Sequence, residues 1–183
     1  MNNLSQKPQV LLHVCCAPCS PYVVDLLSQD YTPILYFYNP NIHPHEEYAL
    51  RVDEIERFAR GTGNALYCGD EDTDLFFDAV RGYENEPEKG KRCEICFKLR
   101  LDKACTFAQS QNIKYVTTTL TVSPHKCAKT INRIGAETAA LHNVIFLAEN
   151  FKKNDGFRKT VQMAKQYSFY RQNYCGCIFS KKN

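Results

Sequence analysis

Short apolar runs alternate with helical patterns along the whole sequence. The five apolar runs that we predict to be strands are QVLLHVCC, TPILYFYNP, ALYCG, KYVTTTLTV and VIFLAE. Between them, apolar residues recur every three or four positions, as at Tyr48, Val52 and Ile55, which is typical of amphipathic helices. Strands that alternate with helices form a parallel sheet covered by helices on both faces. The sequence therefore predicts an α/β fold with a parallel sheet.

The length and composition limit the class of protein. A chain of 183 residues is predicted to form one domain, residues 1–183, with a core of its own. The longest apolar run is too short to span a membrane, and the opening residues MNNLSQKPQ lack the pattern of a secretion signal. We therefore expect a cytoplasmic protein without membrane contact. In a reducing compartment, its ten cysteines favour metal binding, redox chemistry or catalysis over a disulfide framework.

Positive charge is concentrated in a basic C-terminal helix and tail, residues 151–183. This segment contains eight Lys or Arg and one acid, a net charge of +7 within a chain of net charge +3, which leaves −4 on residues 1–150. Such a segment is typical of a surface that meets phosphates, and a solvated helix face is the alternative. The helix predicted over FRKTVQMAKQYSFYRQ also places aromatic residues between the cations.

Three polar loops follow predicted strands: CCAPC the first, NPNIHPHEEY the second and TVSPHK the fourth. Open parallel sheets bind ligands at the carboxyl ends of their strands, so we expect these loops to lie near one site. The second loop contains His43, His45, Glu46 and Glu47. These side chains could hold a metal, or begin a helix with acids in its first turn, which we favour.

Two pairs of cysteines supply four candidate ligands. Cys93 and Cys96 have C-x-x-C spacing, which suits zinc, an iron–sulfur cluster or a redox dithiol. With the adjacent Cys15 and Cys16 they provide the four thiolates that a [4Fe–4S] cluster requires. Adjacent cysteines suit a cluster, whose irons occupy separate corners, better than one tetrahedral zinc ion. The cations around the C-x-x-C pair that would offset the negative charge are Lys91, Arg92, Lys98 and Arg100.

The remaining cysteines have several possible roles. Cys19 either binds beside or within the same centre or packs as a small buried residue. In NYCGC, Gly176 lets the backbone bring Cys175 and Cys177 together. A C-x-C disulfide is tight, readily reduced and suited to redox cycling, although the pair could instead bind a metal. Two further cysteines, Cys68 and Cys105, are predicted to be packing residues.

Five segments in this order resemble the cobalamin-independent epoxyqueuosine reductases of the QueH family: LLHVCCAPCS, FYNPNIHPHEEY, RCEICFKLRL, TTTLTVSPHK and YRQNYCGC. The resemblance covers nearly the whole chain and implies a HUP-like Rossmann-type domain related to PP-loop proteins. It implies reduction of epoxyqueuosine in tRNA to queuosine, the last step of that modification. The residues that it implies are a [4Fe–4S] cluster on Cys15, Cys16, Cys93 and Cys96, a redox-active pair at Cys175 and Cys177, and an additional adjacent iron with Cys19 as a candidate ligand.

The same resemblance implies two partners, a tRNA anticodon loop and an external electron donor. Lys152 and Lys153 are then expected to contact tRNA phosphates. Two other interpretations stay open: an iron-free thiol–disulfide oxidoreductase, and a zinc-stabilised tRNA-binding or thiolation protein. Against thiolation, the first strand is followed by CCAPCS and not by a Gly/Ser-rich phosphate loop.

Overall fold

The computed structural model describes residues 7–181. The strands are β1 (Gln9–Val14), β2 (Thr32–Phe37), β3 (Leu66–Cys68), β4 (Tyr115–Thr118) and β5 (Ile145–Phe146). The helices are α1 (Ser20–Leu27), α2 (His45–Thr62), α3 (Thr73–Ala79), α4 (Lys91–Ser110), α5 (Ala128–Leu141) and α6 (Gly156–Gln166). Short 3-10 turns span Ala17–Cys19, Thr119–Val122 and Ile178–Ser180. Each of the five predicted strands is confirmed, within slightly wider predicted bounds.

The strands form one sheet in the order β3-β2-β1-β4-β5, and every pairing is parallel. The chain builds outward from β1 to β3 and then returns to the other side of β1, where β4 lies. The direction of building therefore reverses between β1 and β4, and the loops that leave these two strands diverge. This switch point is where an open α/β sheet forms a ligand crevice.

The central strand β1 explains the two layers of the core. Alternate side chains of a strand point to opposite faces. Val10 and Leu12 pack with residues of α1, α2 and α6, while Leu11 packs with residues of α4 and α5. The predicted α/β fold with helices on both faces is thus confirmed. No helix within residues 7–181 is long and apolar enough to cross a membrane.

The last helix, α6, ends six residues earlier than the predicted helical pattern. Ser168 has a left-handed φ of 52°. The N–H of Phe169 donates to the carbonyl of Ala164 at 3.0 Å, and the N–H of Ser168 donates to that of Lys165 at 3.0 Å. This pattern is a Schellman motif, in which glycine usually takes the left-handed position. With serine there, the sequence carried no stop signal, so the longer helix was predicted wrongly. Residues 167–181 form a C-terminal tail.

The C-terminal tail runs along one face of α2. Four side chains of α2, spaced three or four residues apart, hold it: Glu47, Arg51, Glu54 and Arg57. Arg57 donates to the carbonyl of Tyr167 at 3.0 Å. Arg51, which is buried, donates to the carbonyls of Tyr174 and Cys175 at 3.3 and 3.2 Å. We call these four side chains the α2 clamp, because they hold the C-terminal tail against α2, with its end near the carboxyl ends of the strands.

Candidate metal centre

A cavity of about 620 Å³ lies beside the loops that leave β1 and β4, at the switch point of the sheet. Its walls come from the β1–α1 turn, the start of α4, the loop after β4, α6 and the C-terminal tail. Eight of the ten cysteines line it: Cys15, Cys16, Cys19, Cys93, Cys96, Cys127, Cys175 and Cys177. All seven cysteines singled out as ligands or redox residues therefore meet in one place, although they come from three distant parts of the chain.

The turn between β1 and α1 gathers three sulfurs. The 3-10 turn after Cys16 bends the chain, so that side chains which would diverge in a continued strand converge instead. The Sγ atoms of Cys15, Cys16 and Cys19 all lie within 4.8 Å of one another. Among the described residues, no other group of three metal-ligating side chains is as close. Cys19 therefore lies with the two proposed ligands and is not a packing residue remote from them.

The side chains of these three cysteines are hydrogen-bonded to one another. Hydrogen bonds from the Cys16 and Cys19 thiols lower the pKa of Cys15 well below its ordinary value, and Lys126 acts in the same direction. The Cys15 and Cys16 sulfurs are 3.8 Å apart. The hydrogen bond to Cys15 raises the pKa of Cys16 to about 11, and the corresponding bond raises the pKa of Cys19. The turn therefore favours one thiolate held by two thiols, which is a state ready to bind a metal.

Nitrogen donors point at three of the candidate ligand sulfurs. The backbone N–H of Lys89 donates to Cys93 Sγ at 3.3 Å, just before α4 begins. Gln172 Nε2, from the C-terminal tail, donates to Cys16 Sγ at 3.0 Å. The third donor is Arg100, which reaches the sulfur of Cys96. Such N–H groups stabilise thiolates and tune the potential of iron–sulfur clusters, so the donor set fits a cluster held by these cysteines.

The C-G-C pair depends on its glycine. Gly176 has φ of +101°, and a Cβ added there would lie 2.9 Å from Cγ1 of Ile42. Its carbonyl also accepts a hydrogen bond from the N–H of His43 at 2.8 Å. Left-handed backbone and close packing together require glycine at this position. Both Cys175 and Cys177 are free thiols.

The two thiols of this pair differ in acidity. A hydrogen bond from Cys177 lowers the pKa of Cys175 well below its ordinary value. Lys126 and the hydroxyl of Ser180, whose Oγ lies 3.0 Å from Cys175 Sγ, act in the same direction. The pKa of Cys177 is raised, first by the bond to Cys175 and then by burial. Cys175 is therefore the thiolate of the pair and Cys177 the thiol that keeps its proton.

The histidine-rich loop after β2 forms no metal site among the described residues. His45 lies 2.9 Å from a carboxylate oxygen of Glu71 at the surface, while His43 packs against Phe77. Helix α2 begins at His45 with two acids in its first turn, as the favoured interpretation predicted. Burial lowers the pKa of His13 to about 3, so its imidazole is neutral near pH 7.

Several residues at the site could not be found from the sequence. Thr119 accepts the N–H of Cys15 at 3.3 Å and its hydroxyl lies 3.6 Å from the sulfur of that residue. Gln172 and Ser180 reach sulfurs only because the C-terminal tail folds back. Thr119 and Gln172 lie within the quoted segments TTTLTVSPHK and YRQNYCGC, but their contacts depend on distant parts of the chain and so could not be assigned to them from the sequence. Of the two cysteines predicted to pack, Cys105 is fully buried, whereas Cys68 lies exposed on edge strand β3 and was predicted wrongly.

Some cations of the basic segment are bound to neighbouring groups and others form no ion pair within residues 7–181. Lys152 Nζ donates to the carbonyls of Ser123 and Lys126 at 3.0 and 2.6 Å, so it fixes the loop after β4. Arg158 pairs with Asp155. Four cations that are not buried line the cavity and form no ion pair within residues 7–181. We call them the basic rim; two come from the basic segment and two from earlier in the chain: Arg171, Lys181, Lys89 and Lys126.

A parallel sheet with a cysteine-lined crevice at its switch point defines an open α/β protein with a candidate thiol or metal site. One solved structure of this fold is the U34-tRNA thiolase NcsA from Methanococcus maripaludis with its [4Fe-4S] cluster, which matches with a TM-score of 0.58 and 13% identity over 98% of this chain and 63% of that chain. The chain belongs to the epoxyqueuosine reductase QueH family, because the family model described as "Epoxyqueuosine reductase QueH" matches residues 10–183.

Relatives from three bacteria support this assignment. The "Epoxyqueuosine reductase QueH" of Streptococcus pyogenes serotype M1 is 41% identical over 97% of this chain and 72% of its own length. The protein of the same name from Staphylococcus epidermidis is 36% identical over 96% of this chain and 77% of its own. The one from Thermotoga maritima is 34% identical over 93% of this chain and 89% of its own. The predicted family is thus confirmed, and the chain is an oxidoreductase.

Proposed function

We propose that this protein reduces the epoxide of epoxyqueuosine in tRNA to the cyclopentene of queuosine, with a cysteine-bound iron–sulfur centre. The observation that carries the proposal is the convergence of seven cysteines, from three segments of a QueH-family chain, on one cavity. Such a set of thiols supplies both the ligands of a metal centre and a separate redox pair. No comparably complete set of reactive groups occurs elsewhere in residues 7–181.

The electron balance assigns a role to the C-G-C pair. Reduction of an epoxide to an alkene consumes two electrons and two protons and releases water. Oxidation of the Cys175 thiolate and the Cys177 thiol to a disulfide releases two electrons and one proton, and the second proton of the reduction comes from solvent. The pair therefore holds the reducing equivalents for one turnover, and an external electron donor must reduce the disulfide before the next.

The metal centre has its own ligand set. We assign the [4Fe–4S] cluster to Cys15, Cys16, Cys93 and Cys96, and Cys19 to an additional adjacent iron. When bound, the iron centre supplies one-electron transfer and a Lewis acid for the oxygen of the epoxide.

The side chains around the pair position it. The hydrogen bond from Cys177, together with Lys126 and Ser180, holds Cys175 as a thiolate, and Cys177 Sγ retains the proton that a later step can use. The α2 clamp fixes the backbone of the pair, through the bonds from Arg51 to the carbonyls of Tyr174 and Cys175. Apolar lining residues such as Phe157 and Leu120 limit water in the cavity.

Metal and product analysis of anaerobically purified protein tests the proposal. We expect a brown protein that contains iron and acid-labile sulfide, whose broad absorption bleaches on reduction, and that converts epoxyqueuosine-containing tRNA to queuosine-containing tRNA. A colourless protein that is fully active would favour the iron-free oxidoreductase. A colourless protein that binds zinc stoichiometrically and yields no product would favour the zinc-stabilised tRNA-binding protein.

The basic rim is our proposed contact with the tRNA backbone. Reversing the charge of Arg171 and Lys181, which are both exposed, is expected to weaken binding of an anticodon stem-loop. It should also reduce the slope of log affinity against log salt concentration by roughly 1–2, because about one counterion is released per phosphate contact. Fluorescence anisotropy over a salt series measures this slope. The matched control reverses Lys153 and Lys165, which are exposed in the same basic segment but do not line the cavity. An equal loss of slope in the control would assign the contact to the whole segment instead.

A further inference from the structure

Arg100 is a buried cation without a carboxylate partner. It lies one helical turn after Cys96 on α4 and is 3% exposed. Its Nη2 donates to Asn39 Oδ1, its Nη1 lies 3.9 Å from Cys96 Sγ, and its Nε has no partner. Within residues 7–181 it forms no ion pair. A guanidinium cannot lose its charge in a protein, so this charge needs compensation from another source.

Of the other two buried arginines, one has a carboxylate partner and the other has backbone carbonyls as acceptors. Arg51 pairs with Glu47 at 2.7 Å, and both side chains are almost fully buried. Arg92 donates to three backbone carbonyls of the loop before α4, those of Tyr83, Glu84 and Glu86. Arg92 also lacks a carboxylate partner and its Nε is also unpartnered, but Arg100 differs because its two acceptors are one amide oxygen and one sulfur. We therefore expect the charge that compensates Arg100 to lie among the thiols of the cavity that it lines.

The position of Arg100 connects the two cysteine pairs. Asn39, which accepts from Arg100, also donates to the carbonyl of Val14 at 3.0 Å, directly before Cys15. Of the four cations predicted to surround the C-x-x-C pair, Lys91 and Lys98 are exposed and Arg92 is directed at loop carbonyls. Arg100 alone of these four donates to a sulfur.

We propose that Arg100 is the counter-charge of the anionic centre held by the two cysteine pairs, and that it raises the reduction potential of this centre. Reduction adds negative charge, and a cation a few ångströms away in a low-dielectric cavity stabilises the more negative state. Asn39 sets the position of the guanidinium relative to both pairs. The inference rests on the proposed function, since it requires a [4Fe–4S] cluster on these four cysteines.

Redox titration of three anaerobically purified variants tests the proposal. Arg100→Met removes the charge and keeps an unbranched apolar stem, Arg100→Lys keeps the charge, and Lys98→Met removes an exposed cation two residues from Cys96. At the solution potential where half of the wild-type cluster is reduced, the ratio of reduced to oxidised cluster in Arg100→Met should fall about tenfold or more. Arg100→Lys should restore most of this ratio, and Lys98→Met should leave it unchanged. Absorbance and the electron paramagnetic resonance signal of the reduced cluster report the ratio.

Each outcome decides the assignment. A loaded Arg100→Met protein with the wild-type ratio would overturn it, as would an equal shift in Lys98→Met. If Arg100→Met does not retain a cluster, Asn39→Asp decides, because it places a carboxylate against the guanidinium while the cation stays. We expect Asn39→Asp to lower the reduced fraction as well, and an unchanged fraction would overturn the proposal. If the wild-type protein shows no cluster signal, the proposed function and this inference are both wrong. If the wild-type signal is intact and Arg100→Met has the wild-type reduction potential, this inference alone is wrong.

Discussion

Replacing Cys96 with serine is expected to remove bound iron and reductase activity together. Cys96 is buried, faces the cavity one helical turn from Cys93, and its sulfur accepts from Arg100. A serine hydroxyl does not supply the thiolate that an iron site requires. Changes in the groups around a metal ligand already cost 10–100-fold, so loss of a ligand should lower activity by more than about a hundredfold. Iron and acid-labile sulfide content, measured beside product formation, check this result.

The control for this experiment is Cys68→Ser. Cys68 is an exposed free thiol on edge strand β3 and does not line the cavity. Its replacement should leave iron, sulfide and product formation at wild-type levels. If Cys96→Ser retains full iron and full activity, the assignment of Cys96 as a cluster ligand is wrong.

Replacing Cys175 with serine is expected to stop multiple turnover while leaving the iron content intact. The pair stores the two electrons of one reduction, and a single remaining thiol cannot form the intramolecular disulfide. Product should therefore stay well below one equivalent per enzyme, even with excess tRNA and reductant. Counting product molecules per protein under anaerobic conditions measures this limit.

Two further variants make the second experiment decisive. Cys177→Ser should show the same limit, because the disulfide needs both sulfurs, and the Cys68→Ser protein should turn over normally. Full multiple turnover in Cys175→Ser would eliminate the pair as the store of electrons. Loss of iron in Cys175→Ser would instead indicate that this sulfur is a metal ligand, which is the alternative that the sequence left open.

Features with a local cause could be predicted from the sequence. The strands follow from apolar, β-branched runs, and the start of α2 follows from acids beside a proline, so these elements appear where the pattern places them. The meeting of the first cysteine loop with the C-x-x-C pair at one cavity is consistent with the rule that parallel sheets bind ligands at their carboxyl edge. That rule needs only the order of strands and helices along the chain.

Features with a distant cause could not be predicted. The end of α6 depends on Ser168 adopting a left-handed conformation, which a serine in the sequence does not predict as a glycine would. The contact of Gln172 with the sulfur of Cys16 joins residues 156 positions apart. Likewise, Lys152 was expected to meet phosphate, but its Nζ is bound to two backbone carbonyls of the loop after β4. In each case the partner is set by the packed fold and not by neighbours in sequence.

Docking of the C-terminal tail on the α2 clamp comes after synthesis of the proposed cluster ligands. The four proposed cluster ligands lie within residues 15–96, and β4, which completes the sheet beside β1, ends at residue 118. Cys175 and Cys177 reach the cavity only when the tail docks on α2, and a chain leaves the ribosome with its N-terminal part first. If the cluster is held as we propose, all four of its ligands are synthesised before the C-G-C pair can reach the cavity. We would then expect insertion of the metal centre and docking of the redox pair to be separate stages of maturation.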